Sequence, residues 1–146
     1  MARMHLHISV DDLTRNIDFY STLFGTAPSV VRDDYAKWML DDPSVNFAIS
    51  TRGGKRGLDH VGIQTDTEEE LAVIEARLHE AGLAGTAQKG ATCCYAVSNK
   101  YWTLDPQGIA WESFHSLASA PTFSGGEPLE QSTGGCCVPG NVSGCC

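Results

Sequence analysis

The chain has 146 residues with an ordinary hydrophobic share of 42% and a formal net charge of −8, which bounds it to one small domain or two very small modules sharing a core. No Lys or Arg follows Lys100, so a basic face for nucleic acid or for an anionic membrane surface is not expected. No apolar run is long enough to span a bilayer, and the strand pattern starts almost at Met1, leaving no room for a signal peptide. The cytoplasm is the expected location.

The first element alternates. Met4, Leu6, Ile8 and Val10 fall on one face and His5, His7 and Ser9 on the other, the pattern of a strand with an apolar back and a polar front. Asp12 is placed as a helix N-cap, with Leu13, Ile17, Tyr20 and Phe24 following at helical spacing and Gly25 at the C′ position. Three strand-like runs come next, Ser29–Arg32, Tyr35–Leu40 and Val45–Ser50, with Pro43 in a turn between the last two. The glycine-rich basic stretch Thr51–Gly57 reads as a linker.

The pattern then restarts. Leu58–Gln64 forms a strand in which His60, Gly62 and Gln64 share a face. Thr67 and Glu70 make a capping box ahead of the stripe Leu71, Ile74, Leu78 and Ala81, closed by Gly82. Strand-like runs cover Thr86–Gln88, Cys93–Val97, Tyr101–Leu104 and Ile109–Phe114, with the turn Asp105-Pro106-Gln107-Gly108 before the last and Lys100 in a loop after the cysteines. Strand–helix–strands thus occurs twice, opened by His5 and His60, and such a repeat decides the fold class. The expected fold is α+β: two βαβββ modules, about residues 3–51 and 57–116, forming a half-open mixed β-barrel around a metal site. Residues 1–116 make the domain; residues 117–146, rich in Gly, Ser and Pro, bury too little to order and read as a mostly disordered, cysteine-containing tail.

Three ligand-type side chains share the presumptive inner face: His5, His60 and Glu112. Two imidazoles and one carboxylate with open positions suit a non-haem Fe(II) centre, and equally Zn(II), Mn(II) or Ni(II). His7 is a ligand, an outer-shell partner or simply an exposed residue. His79 and His115 read as ordinary, and Trp38, Trp102 and Trp111 as packing. All six cysteines form adjacent pairs, Cys93–Cys94, Cys136–Cys137 and Cys145–Cys146. Neighbours make poor structural disulfides, and in a cytosolic chain they are expected to be reduced. A Cys is often only a small buried hydrophobe; two presented together need a bend or bulge, of the kind found beside sites. The tail pairs either scavenge soft ions or are incidental.

The stretches His5-Leu6-His7-Ile8-Ser9-Val10-Asp11-Asp12-Leu13 with Ile17-Asp18-Phe19-Tyr20, Leu58-Asp59-His60-Val61-Gly62-Ile63, and Asp105-Pro106-Gln107-Gly108-Ile109-Ala110-Trp111-Glu112 resemble the vicinal-oxygen-chelate superfamily of glyoxalases, extradiol dioxygenases and bleomycin-resistance proteins, over about residues 3–115. Pro28–Tyr35 with Ala36-Lys37-Trp38, Thr92-Cys93-Cys94-Tyr95-Ala96 and Asn99-Lys100-Tyr101-Trp102 resemble the carbon–arsenic lyases and related cadmium-induced proteins. That resemblance implies an Fe(II)- and O₂-dependent enzyme releasing arsenite from trivalent organoarsenicals such as methylarsenite. His5, His60 and Glu112 match its metal positions, although some relatives carry Gln at the first, and Cys93 and Cys94 match its arsenic-binding thiols. In a purified sample Mn, Ni, Co or Zn could take the place of iron. The resemblance also implies a homodimer. Against the four-ligand pattern of glyoxalase I, Ala48 falls where Glu112 falls in the second module, so a fourth ligand is not expected there. The rival reading is a non-catalytic protein that sequesters cadmium, arsenite or another thiophilic ion through Cys93, Cys94 and the tail pairs.

Overall fold

A computed structural model describes residues 2–83, 85–122 and 124. The first module runs β1 (Arg3–Ser9), α1 (Leu13–Phe24), β2 (Val30–Arg32), β3 (Tyr35–Asp41) and β4 (Ser44–Ser50). The second repeats it as β5 (Gly57–Thr65), α2 (Glu68–Glu80), β6 (Thr86–Cys93), β7 (Ala96–Leu104) and β8 (Ala110–Ser119). The strands form one mixed, curled half-barrel sheet in the order β2-β3-β4-β1-β5-β8-β7-β6. The two halves of that order mirror each other. In each, the opening strand lies parallel to the closing one (β1 with β4, β5 with β8), and β1 and β5 meet antiparallel at the middle.

Local signals account for the helix ends. The Asp12 side chain accepts from the Arg15 amide at 2.9 Å, and Gly25 takes the left-handed conformation that stops α1. Thr67 accepts from the Glu70 amide at 3.2 Å, and the Glu70 carboxylate reaches back to the Asp66 amide at 2.9 Å. The apolar back of β1 packs as its alternation requires: Leu6, Ile8 and Val10 join Trp38, Phe47 and Ile49 beneath Ile17, Tyr20 and Phe24 of α1. Rings of Tyr20 and Phe24 lie 4.5 and 5.1 Å from that of Phe47. With this face filled by hydrocarbon, the histidines of β1 are directed into the concave side of the sheet.

The second module departs from the expected run of strands. Asn99 and Lys100 do not interrupt β7, which is continuous over Ala96–Leu104, so Lys100 is a strand residue and not a loop residue. The run expected at Cys93–Val97 is instead the end of β6, a two-residue turn at Cys94 and Tyr95, and the start of β7. The last strand also outlasts the apolar pattern. Ala118 and Ser119 pair with Val97 and Ala96, Ala120 is buried and donates its amide to the Tyr95 carbonyl at 2.8 Å, and Ser124 bridges to Cys93. Order therefore continues past residue 117 because backbone pairing, needing no apolar side chain, holds it. Cys136, Cys137, Cys145 and Cys146 lie outside the described residues. No helix among the described residues is long and apolar enough to cross a membrane.

Candidate metal centre and the thiol turn

His5, His60 and Glu112 come from β1, β5 and β8, three neighbouring strands at the middle of the sheet. His5 and Glu112 both lie across from Gly62. That glycine is required: a Cβ there would stand 2.0 Å from the Glu112 carbonyl oxygen. The three side chains are 6, 2 and 3% exposed, respectively. Their inner atoms converge: His5 Nε2 to His60 Nε2 is 3.2 Å, His60 Nε2 to Glu112 Oε2 is 3.4 Å, and His5 Nε2 to Glu112 Oε2 is 3.6 Å. Ligand bonds of roughly 2.1 Å at angles between octahedral and tetrahedral separate donor atoms by roughly 3.0–3.4 Å. The three donors therefore fit one small divalent ion.

Each donor is fixed from behind. The outer nitrogen of His5, Nδ1, lies 3.0 Å from the Asn46 carbonyl oxygen, which only accepts, so this nitrogen carries the proton and Nε2 presents a lone pair. His60 Nδ1 lies 2.6 Å from Asp59 Oδ1. Adjacent residues of a regular strand point to opposite faces. Here the pairing of β1 with β5 steps from His7–His60 to Ile8–Leu58, leaving Asp59 as the extra residue of a bulge. The carboxylate consequently turns to its own neighbour's ring. Lys100, 4% exposed, donates to Glu112 Oε1, leaving Oε2 for the centre.

The electrostatics follow from burial. Desolvation first, then the nearby His60, lowers the pKa of His5 to about 4. His7 is lowered to about 3 by the same two causes in the same order. Burial also opposes charge on His60, but hydrogen bonds to Asp59 and Glu112 together outweigh it and raise its pKa. Burial would push the Glu112 carboxyl up; the Lys100 ammonium and His60 more than reverse this and hold it well below the usual carboxylate range. An ionised carboxylate and a neutral His5 imidazole thus meet a His60 ring whose neighbours favour its protonated form, and a cation entering the centre competes with that proton.

Cys94 and Tyr95 have φ of 57° and 60°. With Cys93 paired to Ala96, they are the central residues of a two-residue hairpin turn of the type that needs positive φ twice. Neither is glycine, at a cost of about 1 kcal/mol or more each. Contacts hold the turn: the Tyr95 hydroxyl donates to Asp34 Oδ1 at 2.6 Å, the Arg32 guanidinium lies 5.3 Å from the Tyr95 ring centre, and the rings of Tyr35 and Tyr95 are 5.6 Å apart. The expected bend that presents both sulfurs is therefore this turn, with Cys93 Sγ and Cys94 Sγ 2.9 Å apart. The expectation of two reduced thiols is met by Cys94 alone. Cys93 is disulfide-bonded.

Cys94 and Tyr95 line a cavity of about 390 Å³ together with Lys37, Met39, Gln64 and Ser116. The metal-type donors are not in its wall, but the connection is short. Asn46, which holds His5, donates its side-chain amide to Gln64 Oε1 at 2.8 Å. Tyr35, buried between, has its phenol pKa raised first by desolvation and then by the negative charges of Cys94 and Glu112; its ring lies 6.2 Å from that of His7. Sequence reasoning missed Asp59, Asn46 and Tyr35, and it noted Lys100 only as a loop residue after the cysteines. Only Asp59 left a trace, as a carboxylate beside a ligand-type histidine, and strand alternation argued against using it.

Comparison with known proteins agrees with this architecture. Residues 3–113 match the family model of the Glyoxalase/Bleomycin resistance protein/Dioxygenase superfamily. The chain is 35% identical over 161 residues to the trivalent organoarsenical cleaving enzyme of Bacillus sp. (strain MD1), covering 100% of this chain and 99% of that protein. It is likewise 35% identical over 147 residues to the cadmium-induced protein CadI of Mycobacterium tuberculosis (strain ATCC 25618 / H37Rv), covering 100% and 93%. Among solved structures, the Mn(II)-bound glyoxalase from Novosphingobium aromaticivorans superposes with a TM-score of 0.56 at 14% identity, covering 87% of this chain and 41% of that one. Catechol 2,3-dioxygenase gives 0.54 at 17%, covering 87% and 47%; at such identities the likeness is one of fold. A duplicated βαβββ unit, a sheet that joins its halves through their first strands, and a match across both halves have one reading: the chain belongs to the glyoxalase/bleomycin resistance/dioxygenase superfamily.

Proposed function

We propose that the protein is an Fe(II)- and O₂-dependent enzyme that cleaves the carbon–arsenic bond of trivalent organoarsenicals such as methylarsenite, releasing arsenite. The observation that carries this reading is the convergence of His5 Nε2, His60 Nε2 and Glu112 Oε2 within 3.6 Å of one another, in a chain whose cysteine turn packs against Tyr35 and Ala48. Relatives named for cleaving trivalent organoarsenicals support the substrate class. His5, His60 and Glu112 hold the metal; Fe(II) in two imidazoles and one carboxylate supplies redox chemistry towards O₂ and leaves positions open for exogenous molecules. Asn46 and Asp59 keep both imidazoles turned inward, and Lys100 restricts Glu112 to one donor oxygen. Cys94, in the wall of the cavity beside Lys37, and the adjacent Cys93 capture the arsenic as thiolates, and the Lys37 cation favours the thiolate of Cys94. Capture by both sulfurs requires the Cys93 disulfide to be reduced first, and the cytoplasm is the compartment that keeps thiols so.

The test is arsenic speciation after incubating reduced, Fe(II)-loaded protein with methylarsenite in air. Arsenite should accumulate over many turnovers in the wild type, and fall by at least about 100-fold in Cys94→Ser if the thiol positions the substrate. Recovery of intact methylarsenite bound in proportion to protein would instead support sequestration, the reading that fits the relatives named as cadmium-induced.

A further inference from the structure

Taking the metal centre above as given, we propose that His7 is its fourth protein ligand, binding through Nδ1, so that the ion is held by three imidazoles and Glu112. His7 is 2% exposed. One ring nitrogen from each of His5, His7 and His60 lies within 4.8 Å of the others, and the His7 ring centre is 4.9 Å from that of His60 and 6.4 Å from that of His5. Its two nitrogens are used unequally. Nε2 is 2.9 Å from Ser50 Oγ, whereas Nδ1 is buried with no hydrogen-bond partner among the described residues. A proton on Nδ1 would be a buried orphan donor, so the proton belongs on Nε2, donated to Ser50, and Nδ1 bears a lone pair. His5 and His60 are likewise each tied to the protein through Nδ1, with the other nitrogen turned to the centre.

The duplication of the fold gives an independent argument. β1 corresponds to β5 and β4 to β8, so His5 corresponds to His60, His7 to Gly62, and Ala48 to Glu112. The two last correspondences are cross-strand pairs: Gly62 faces Glu112 in the second module, and His7 faces Ala48 in the first. At each position one partner is nearly without a side chain and the other carries a metal-type donor. The closing strand supplies it in the second module and the opening strand in the first. Ala48 is fully buried, and it leaves the inner space to the imidazole across from it. Donors bound to one ion stand roughly 3.0–3.4 Å apart, so from a separation of up to 4.8 Å the His7 ring closes in by as much as about 1.5 Å on binding. A nitrogen-rich set of four favours Co(II) and Zn(II) over Mn(II) more strongly than the three-donor set does.

The test counts bound imidazoles in the intact, reduced protein loaded with Co(II). Each coordinated ring keeps one N–H, which appears in the proton NMR spectrum as a strongly shifted, solvent-exchangeable signal. Three such signals are expected in the wild type and two in His7→Ala. The Co(II) affinity of His7→Ala and His7→Gln should fall by more than the ~10–100-fold that loss of an outer-shell partner produces. Two signals in the wild type overturn the assignment of His7 and leave the His5–His60–Glu112 centre standing. No shifted signal at all overturns that centre, and His7 with it. The wild-type spectrum decides the matter even if a variant folds poorly.

Discussion

Lys100 is the residue on which the unloaded centre depends. It supplies the positive charge that keeps a fully buried Glu112 ionised, and removing one partner of such a pair costs more than the pair contributes. In Lys100→Met the metal-free protein should lose about 3 kcal/mol in urea unfolding. The loaded protein should lose much less, because the cation takes over the neutralising role; equal losses with and without metal would contradict this. The same residue marks where sequence reasoning stops. His5, His60 and Glu112 were legible because a repeat set two of them in equivalent places and a strand pattern put all three on one face. Lys100 and Asn99 looked like a loop because two polar residues interrupt an apolar run, and only the register reveals that each has a partner, Glu112 for one and Glu68 for the other.

At the scale of elements, the contact between β5 and β8 fixes the carboxylate. Gly62 permits that closeness, and Gly62→Ala forces a methyl group against the Glu112 backbone. Overpacking of this kind costs ~1–3 kcal/mol, and the strands must part where Glu112 is anchored. The variant should stay folded by circular dichroism yet bind Co(II) at least about tenfold more weakly; unchanged affinity would show that the register tolerates the shift. Helices and most strand positions could be read from periodicity and caps. The turn at Cys94 and Tyr95 could not, because neither residue is of the type that usually accepts positive φ. Tertiary contacts from Asp34, Arg32 and Ala120 impose it. The extension of β8 was hidden for a similar reason, since its last residues are held by backbone pairing rather than by apolar side chains.

For the molecule as a whole, buried neutral histidines make stability depend on acidity. His5 titrates at about 4 when folded and near 6.5 when unfolded, so between these values the unfolded chain binds the extra proton. Through His5, stability then rises with pH across that window, whereas His60, whose pKa is raised in the folded protein, acts in the opposite sense above 6.5. The metal-free protein should lose up to about 3 kcal/mol through His5 alone as pH falls from 6.5 to 4. His7, at about 3, extends the decline further down. Urea midpoints at successive pH values should show this slope, and His5→Gln should flatten it. A slope unaltered by that substitution would assign the acid sensitivity to other groups.

The two halves of the sheet touch through β1 and β5, and the donors are shared across that seam: His5 from one half, His60 and Glu112 from the other. Neither half owns a complete set. An ion bound there would act as a rivet between the two repeated parts, making the integrity of the proposed metal centre and the cohesion of the whole chain one property. Stripping the ion with a chelator should lower the midpoint of thermal unfolding, because the seam then keeps its backbone ladder and side-chain contacts such as Tyr95–Asp34 and Asn46–Gln64 but loses the one link that draws on both halves at the centre.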